Sequence, residues 1–177
     1  PAEAMAVLDA EACAARVGEP VQGGGLLMRQ ALAVRGEPVL AAWLAEAGEV
    51  RAAVAGVERT VDGWRLRDAA GRSLVEADIV VLAAGWGLAE LAPDLPLAPV
   101  AGQADWVDGV VAAPTAWGGY AVPTGSGLLF GATHARGVTD PQPTMAASEA
   151  NLETLASRLP GLAGRVREAG ARRARTA

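Results

Sequence analysis

The residues best suited to ligand chemistry cluster in one short segment, residues 118–137, which reads GGYAVPTGSGLLFGATHARG. This segment carries the only Tyr, the only Phe and the only His of the 177 residues. Polar and aromatic groups this concentrated, in a chain otherwise rich in Ala, Val, Leu and Gly, indicate that one face of the segment contacts a ligand. The alternative is that Tyr120 and Phe130 are ordinary sheet residues and His134 is a loop residue.

Arginines near the end of the chain form a second candidate, because only Glu168 offsets the six arginines found between residues 158 and 175. They are Arg158, Arg165, Arg167, Arg172, Arg173 and Arg175. This end of the chain is suited to binding an anion, although a solvated helix face would carry the same charges. The net charge of -5 argues against binding of nucleic acid by this segment alone, since affinity for phosphates comes mainly from basic patches.

The composition indicates a globular protein and excludes several other classes. Hydrophobic residues make up 51% of the chain and the mean hydropathy is +0.24, which suffices for a packed core. No apolar run approaches the roughly 20 residues of a membrane span, and the start of the chain lacks the basic residues of a signal peptide, so a cytoplasmic location is expected. One Cys and one His exclude an internal disulfide and an ordinary structural zinc site, so no metal site is predicted.

The elements that would position these residues follow from the hydrophobic pattern. Apolar runs at Tyr120–Pro123 and Leu128–Thr133, joined by the Gly-rich Thr124–Gly127, predict a β-hairpin. Helical spacing predicts four helices, at residues 4–17, 37–47, 144–159 and 162–169. Alternation with a period of two predicts strands at residues 50–54, 56–61, 64–67, 73–76 and 100–107. The three glycines at 23–25 would allow either a close approach of two backbones or a plain loop.

Residues 78–85, with the sequence DIVVLAAG, predict a different kind of strand. A continuous apolar run ending in small residues is typical of a parallel strand that is buried on both faces. Ala83, Ala84 and Gly85 would let a cofactor approach its carboxyl end, where open α/β sheets bind ligands, or they would simply pack beneath a helix. The whole pattern predicts an α+β fold, α/β in part, with helices flanking a mixed sheet. The sequence contains no Walker loop and no GxGxxG, GxSxG or HExxH motif.

Three stretches of the sequence, in this order, resemble the FAD-dependent oxidoreductases of the D-amino-acid, glycine and sarcosine oxidase type. The first runs from Val54 to Gly85, where a β-meander leads into an apolar strand that ends in Ala-x-Gly. The second is the run PVAGQ at residues 99–103. The third is the hairpin, with Tyr-x-x-Pro at 120–123 and Gly-Ala-Thr at 131–133.

This resemblance implies an activity and a cofactor. Members of the family bind FAD and transfer a hydride from the carbon beside a substrate amine to the flavin, which leaves an imine for water to hydrolyse. The runs GGY at 118–120 and RART at 173–176 are most similar to the FAD-dependent modules of bifunctional tRNA-modifying enzymes, which remove the carboxymethyl group from carboxymethylaminomethyl-thiouridine. The expected partners are a small amine or amino-acid substrate, or tRNA through the complete protein. An amino-acid oxidase or dehydrogenase, and a non-catalytic binding domain of the same architecture, are the alternatives.

The family motifs also imply roles for individual residues. Tyr120 matches a substrate-facing Tyr, and Arg173, in the pattern R-x-x-T, matches the Arg whose planar guanidinium binds the substrate carboxylate. Both are expected to be catalytic. Gln103, His134 and Arg136 are the further expected substrate contacts, and Val54, Ala83, Ala84 and Gly85 the expected FAD contacts. His134 and Arg136 would alternatively be plain loop residues.

The sequence departs from the family pattern in two respects. Ala101 stands where many members have Arg or Lys, so no charged contact is possible there. The Gly-rich βαβ unit that binds the FAD pyrophosphate is not found in these 177 residues. The chain is therefore expected to be an internal fragment, with FAD-side elements at 1–95, substrate-side elements at 96–177, and the remaining FAD-binding segments of the same polypeptide as its partner. Alone, it is expected to bind no FAD and to be inactive.

Overall fold

The computed structural model of the chain describes residues 4–170 and 172–176. Contacts between residues divide the chain into two compact units. The first unit comprises Pro1–Leu40 and Val100–Ala177, and the second comprises Ala41–Pro99. The expected division into FAD-side elements at 1–95 and substrate-side elements at 96–177 stays a prediction. The described residues combine helices with antiparallel sheets, so the predicted α+β class is confirmed.

The first elements are strand β1 (Met5–Leu8), helix α1 (Ala10–Val17) and strand β2 (Gly25–Met28), with β1 antiparallel to β2. The helix predicted over residues 4–17 is therefore wrong in its first half. Asp9 lies between β1 and α1, and its carboxylate caps α1 because it accepts a hydrogen bond from the Ala12 N–H at 2.8 Å. A Cβ at Gly24 would overlap the Leu8 carbonyl oxygen, so the run of glycines serves a close approach of two backbones.

Helix α2 (Gly36–Trp43) is shorter than predicted and is followed by an antiparallel meander in the second unit. Its strands are β3 (Gly56–Arg59), β4 (Trp64–Arg67) and β5 (Ser73–Ala77), in that order across the sheet. The three strands predicted here are confirmed. Residues 50–54 form no strand, and the ladder begins only where the Ala55 N–H donates to the Arg67 carbonyl at 2.8 Å.

The strand predicted at residues 78–85 is also wrong. Residues 78–84 pair with no strand within the described residues, and the side chains of Ile79 and Val81 are 79% and 83% exposed. A buried parallel strand needs a strand on each side and a layer on each face, and the meander supplies neither. A 3-10 turn (Gly85–Gly87) and the short helix α3 (Leu88–Leu91) follow instead.

A five-stranded antiparallel sheet dominates the second half of the chain. It consists of β7 (Gln103–Asp108), β8 (Thr115–Ala116), β9 (Tyr120–Pro123), β10 (Gly127–Gly131) and β12 (Arg172–Thr176), in the spatial order β12-β7-β10-β9-β8. Strands β6 (Val100–Ala101) and β11 (Ala135–Arg136) form a separate antiparallel pair. The predicted hairpin is confirmed as β9 and β10.

Helices α4 (Met145–Ala156) and α5 (Pro160–Ala169) pack together and against this sheet. Thr144 caps α4 as its hydroxyl accepts a hydrogen bond from the Ala147 N–H at 3.1 Å. The Glu19 carboxylate accepts hydrogen bonds from the first turn of α5, at 2.6 and 2.8 Å. The core lies between the two helices and the sheet. It contains Val107, Val110, Ala121, Leu128, Phe130, Leu152, Leu155, Leu159, Leu162, Ala163 and Val166.

Candidate functional site

The five-stranded sheet has one covered face and one open face, and alternation along β7 separates them. The odd-numbered residues of β7 are buried on the side of α4 and α5, whereas the even-numbered residues lie on the other side and are partly or fully exposed. The covered residues are Gln103, Asp105 and Val107, and the open ones are Ala104, Trp106 and Asp108.

Strand pairing places two parallel rows of residues on the open face. The tyrosine row runs across four strands as Arg175, Ala104, Gly131 and Tyr120. The tryptophan row lies beside it and runs as Arg173, Trp106, Leu129 and Val122. The two residues predicted to be catalytic, Tyr120 and Arg173, therefore share one face of one sheet. An open face that carries a phenol, an indole and two guanidinium groups is suited to binding a small anionic molecule.

Arg173 is engaged by two neighbours on this face. Its guanidinium donates to both carboxylate oxygens of Asp108, at 2.7 and 2.8 Å, and lies 5.1 Å from the centre of the Trp106 ring. The Asp108 carboxylate also accepts a hydrogen bond from the Ser126 hydroxyl at 2.6 Å. The side chains of Arg173 and Asp108 are each 56% exposed, so solvent screens the pair and an incoming carboxylate can compete for it.

Tyr120 is partly buried on the open face, between the small residues Gly131 and Ala116 of the neighbouring strands. Burial raises the pKa of its phenol above the ordinary value of 10.0. The hydroxyl is therefore protonated at neutral pH and is able to donate a hydrogen bond to an anion.

Gln103 lies on the opposite, covered face. Its side-chain oxygen accepts from the Thr144 N–H at 2.8 Å, and its amide donates to the Thr144 carbonyl at 3.1 Å and to the Ser148 hydroxyl at 2.8 Å. These bonds join β7 to the start of α4. The substrate contact expected for Gln103 stays a prediction, and the contacts that its side chain makes here are structural.

Sequence reasoning missed a buried polar cluster beside Gln103. Asp105 is fully buried, and its carboxylate accepts hydrogen bonds from the Ser148 hydroxyl and from the Asn151 amide, the latter at 2.6 Å. The same amide donates to the Gln103 carbonyl at 2.8 Å. The signal in the sequence was the spacing of Ser148 and Asn151, which puts both on the face of α4 that carries Leu152. Trp106 was also missed, although its position between two buried residues of β7 indicates the open face.

His134 and Arg136 are exposed. Arg136 pairs with Val100 in the β6–β11 ladder, and the Thr133 N–H, just before His134, donates to the Gln103 carbonyl at 3.1 Å. Neither exposed side chain has a contact that would assign it a ligand. Their roles as substrate contacts stay predictions.

The residues expected to contact FAD all belong to Ala41–Pro99. Val54 is half-buried and directly precedes the meander, whereas Ala83, Ala84 and Gly85 are exposed. No Cβ would meet another atom at Gly85, whose φ of 55° favours glycine. Because the side chains of residues 83–85 are small and exposed, they would allow one face of a flat cofactor to approach the backbone there. Within the described residues of this unit, no Gly-rich turn leads into a helix long enough to hold a pyrophosphate.

Two other kinds of site are not found in the part of the chain that the structure describes. Among residues 4–170 and 172–176, no group of three or more His, Cys, Asp or Glu side chains could hold a metal ion. In the same residues, no helix has the length and apolar character needed to span a membrane.

Comparison with known proteins identifies relatives along almost the entire chain. Residues 2–176 match the family described as FAD dependent oxidoreductase (DAO). The chain is 46% identical over 167 residues to the tRNA 5-methylaminomethyl-2-thiouridine biosynthesis bifunctional protein MnmC of Caulobacter sp. (strain K31), covering 93% of this chain and 27% of that protein. It is 36% identical over 189 residues to the MnmC protein of Burkholderia orbicola (strain MC0-3), covering 100% of this chain and 29% of that protein. The chain thus spans less than a third of the length of these relatives.

A solved structure shares the fold. Glycine oxidase from Geobacillus kaustophilus superposes with a TM-score of 0.64 at 21% sequence identity, over 97% of this chain and 50% of that chain. The fold class and the resemblance predicted from the motifs are thereby confirmed. From the family match over residues 2–176, it follows that this protein belongs to the FAD-dependent oxidoreductases of the DAO family.

Proposed function

We propose that this chain forms the substrate-side part of an FAD-dependent oxidoreductase that oxidises a C–N bond of an amine substrate. The observation that carries this proposal is the open face of the five-stranded sheet. The other face is covered by α4 and α5, yet this face keeps Tyr120, Trp106 and two arginines partly or fully exposed. The chain covers 27% of the MnmC protein of Caulobacter sp. (strain K31) and 50% of the glycine oxidase chain. This partial coverage supports a longer protein, whose other segments complete the cofactor site.

Each group on this face has a role in the proposed reaction. FAD, when bound, supplies the acceptor for the hydride that leaves the carbon beside the amine. The neutral Tyr120 phenol donates to the substrate carboxylate, and an arginine of β12 pairs with it; the family motif gives this role to Arg173. Trp106 and Leu129 provide an apolar floor that limits water around the reacting carbon. Val54 and residues 83–85 would contact the cofactor.

The substrate that we propose is the carboxymethylaminomethyl-thiouridine of tRNA. The MnmC proteins that resemble this chain, at 46% and 36% identity, are named for the biosynthesis of a methylaminomethyl-thiouridine in tRNA. The carboxymethylamino group offers a carboxylate beside an amine, as a free amino acid does, so a glycine-type or sarcosine-type substrate is the second candidate. Because this chain has a net charge of -5, we expect other parts of the protein to bind most of the tRNA backbone. The complete protein would act in the cytoplasm.

The test compares Tyr120→Phe with the wild type in the full-length protein loaded with FAD. Loss of a hydrogen bond to a charged group costs about 1.5–3 kcal/mol, so we expect KM for the modified tRNA to rise about tenfold to a hundredfold while flavin content is unchanged. Glycine and sarcosine are assayed in parallel, since turnover of these alone would favour the amino-acid substrate. Unchanged kinetics in the Phe variant with bound flavin would assign Tyr120 to packing only.

The isolated chain gives a second test of the same proposal. We expect it to purify colourless and to show no flavin absorption band after incubation with FAD and gel filtration. Residues 83–85 alone offer no cradle for the pyrophosphate. A stoichiometric flavin band from these 177 residues would contradict our assignment of the cofactor site to further segments.

A further inference from the structure

An arginine that none of the sequence motifs includes lies at one end of the open face. Arg35 directly precedes helix α2, and its guanidinium reaches the turn of the hairpin at Gly125. We propose that Arg35 binds a backbone phosphate of the tRNA, next to the modified uridine. This inference rests on the proposed function, because it names a contact that a tRNA substrate makes and a free amino acid does not.

The contact between Arg35 and the hairpin turn lies within the first compact unit of the chain. The Nη1 atom of Arg35 is 4.0 Å from the position that a Cβ would take at Gly125. The turn is held by two hydrogen bonds. The Thr124 N–H donates to the Gly127 carbonyl at 2.7 Å, and the Gly127 N–H donates to the Thr124 hydroxyl at 3.0 Å. The guanidinium therefore lies beside a structured turn.

Strand register places this turn beyond the tryptophan row of the open face. Gly127, where the turn ends, is paired with Asp108, which lies two residues after Trp106 on β7. Two residues of an extended strand measure about 7 Å. Arg35 therefore lies at the rim of the open face, outside the rows that carry Trp106 and Tyr120.

A phosphate of an RNA substrate is expected at such a rim. Proteins recognise RNA bases mostly in single-stranded loops, where a base can turn outwards into a pocket. The sugar–phosphate backbone then stays at the entrance of the pocket. A cation placed there contacts the backbone without touching the reacting group. Arginine is suited to this role, because its guanidinium forms two parallel hydrogen bonds to a phosphate.

The positive charge of Arg35 is available to a ligand. Its side chain is exposed, and among residues 4–170 and 172–176 no carboxylate pairs with it. Asp108, at the same end of the face, already pairs with Arg173 at 2.7 Å. Glu37 lies in the first turn of α2, where the positive end of the helix dipole offsets part of its charge. Arg35 can therefore attract an anion to this end of the open face.

The exposed arginines of α5 are on the wrong side of the sheet for this contact. Arg165 is exposed, but α5 packs on the covered face. A phosphate bound there would be separated from the substrate by the sheet itself. Arg165→Gln therefore removes the same charge from the opposite side and is the matched control for Arg35→Gln.

The first experiment compares two substrates, of which only one carries a phosphate backbone. Full-length, FAD-loaded protein is assayed with tRNA that contains carboxymethylaminomethyl-thiouridine and with the free nucleoside. We expect Arg35→Gln to raise KM for the tRNA at least about fivefold and to leave kcat unchanged, because a contact outside the reacting group is lost. KM for the nucleoside should change less than about twofold, as should both KM values in Arg165→Gln.

The salt dependence of binding tests whether the contact is made to a phosphate. Binding of the same tRNA is followed by fluorescence anisotropy between about 50 and 200 mM salt. Loss of one phosphate contact makes the plot of log K against log salt concentration shallower by about 0.7–0.9. We expect this change in Arg35→Gln. Arg35→Lys keeps the charge and should retain most of the wild-type slope.

A substitution in the turn tests the position of Arg35. Among the described residues, a Cβ at Gly125 would approach only the Arg35 guanidinium, so a side chain fits there. Gly125→Asp places a carboxylate beside that guanidinium, and we expect it to raise KM for the tRNA by a factor similar to that of Arg35→Gln. Gly125→Asn has the same shape without the charge and should have little effect.

Four results would each overturn the assignment of Arg35. The first is a KM for the tRNA in Arg35→Gln no higher than in Arg165→Gln, and the second is a salt dependence equal to that of the wild type. The third is an equal rise in KM for the nucleoside, and the fourth is equal effects of Gly125→Asp and Gly125→Asn. Loss of flavin from Arg35→Gln would also overturn it, because the residue would then belong to the cofactor site.

Failure of the proposed function gives a different result. Oxidation of glycine or sarcosine, and not of the tRNA, by the wild type would refute the tRNA substrate. The anisotropy titration decides on Arg35 in that case as well, since a slope that depends on Arg35 upholds the phosphate contact, and absence of tRNA binding refutes it. Conversely, oxidation of the tRNA with a slope that does not depend on Arg35 would support the function and refute the inference.

Discussion

The buried amide of Asn151 allows a quantitative test of how the sheet is held beneath its open face. Its nitrogen donates to the Asp105 carboxylate at 2.6 Å and to the Gln103 carbonyl at 2.8 Å, and the residue is 2% exposed. Asn151→Leu keeps the bulk of the side chain and removes both donors. A bond to a charged group contributes about 1.5–3 kcal/mol and a neutral one about 0.5–1.5 kcal/mol, so we expect the free energy of unfolding to fall by about 2–4 kcal/mol.

Urea unfolding followed by circular dichroism measures this change. For an m-value of about 2 kcal/mol/M, the expected loss lowers the midpoint by about 1–2 M. Glu153→Leu, on the exposed side of the same helix, is the matched control and should shift the free energy by about 0.5 kcal/mol or less. Amide exchange of β7 should accelerate in Asn151→Leu, because this strand loses its tie to α4.

The result that would refute this reasoning is equal stability of Asn151→Leu and Glu153→Leu. Such a result would mean that water or the Ser148 hydroxyl satisfies Asp105 as well as the amide does. A double-mutant cycle with Ser148→Ala separates these two explanations, because compensation by the Ser148 hydroxyl predicts coupling of about 0.5–3 kcal/mol to Asn151, whereas compensation by water predicts none.

Three further predictions concern single carboxylates and the phenol. Glu19→Ala should lower the free energy of unfolding by about 1–2 kcal/mol, because the first turn of α5 loses its acceptor, and Glu19→Gln should recover part of this loss in urea titrations. Hydrogen bonds from the backbone N–H of Arg72, and then from its side chain, lower the pKa of Asp68 below 3.8. The ionised Asp68 carboxylate therefore stabilises the folded protein above pH 3.8, and this contribution is lost as the pH falls through the pKa that Asp68 has in the folded protein. Arg72→Ala should bring the pKa only part of the way back in a carboxyl NMR titration, because the backbone bond remains. Burial raises the pKa of Tyr120 above 10.0, so as the pH rises the phenol ionises in the unfolded chain before it does in the folded one. The free energy of unfolding, relative to that of Tyr120→Phe, should therefore fall above about pH 10. Urea unfolding on both sides of that pH measures this change.

Elements defined by local signals were predictable from the sequence. The hairpin, the start of α4 at Thr144 and the end of α5 at Gly170 depend on turn glycines and caps, whose geometry is set within a few residues. Residues 4–8 and 78–85 were not predictable in this way. The first becomes a strand only because β2 pairs with it, and the second would need neighbouring strands to be one.

The residue types of the candidate site could be read from the sequence, whereas their arrangement could not. The structure brings Tyr120 of the hairpin and two arginines of the arginine-rich end to one face of the sheet, and their roles in binding a ligand stay predictions. Which arginine faces which way depends on strand register. Arg172 lies on the covered face, 3.7 Å from the Glu149 carboxylate of α4, while Arg173 and Arg175 share the open face. Pairing between strands some 65 residues apart leaves no trace in local sequence.

Strand β7 links the buried polar cluster to the open face through its alternation. Its sequence QADWVD carries polar residues on both faces, so hydrophobic pattern alone would specify its register weakly. A shift of one residue would turn Trp106 and Asp108 toward α4 and expose Asp105, leaving the donors of Ser148 and Asn151 without acceptors. Buried polar groups left in this way cost several kcal/mol, so the cluster selects one register. Because β12 pairs with β7, the same selection directs Arg173 and Arg175 to the face where Tyr120 lies. The polar residues buried beneath the sheet thus determine which cationic side chains lie on its open face.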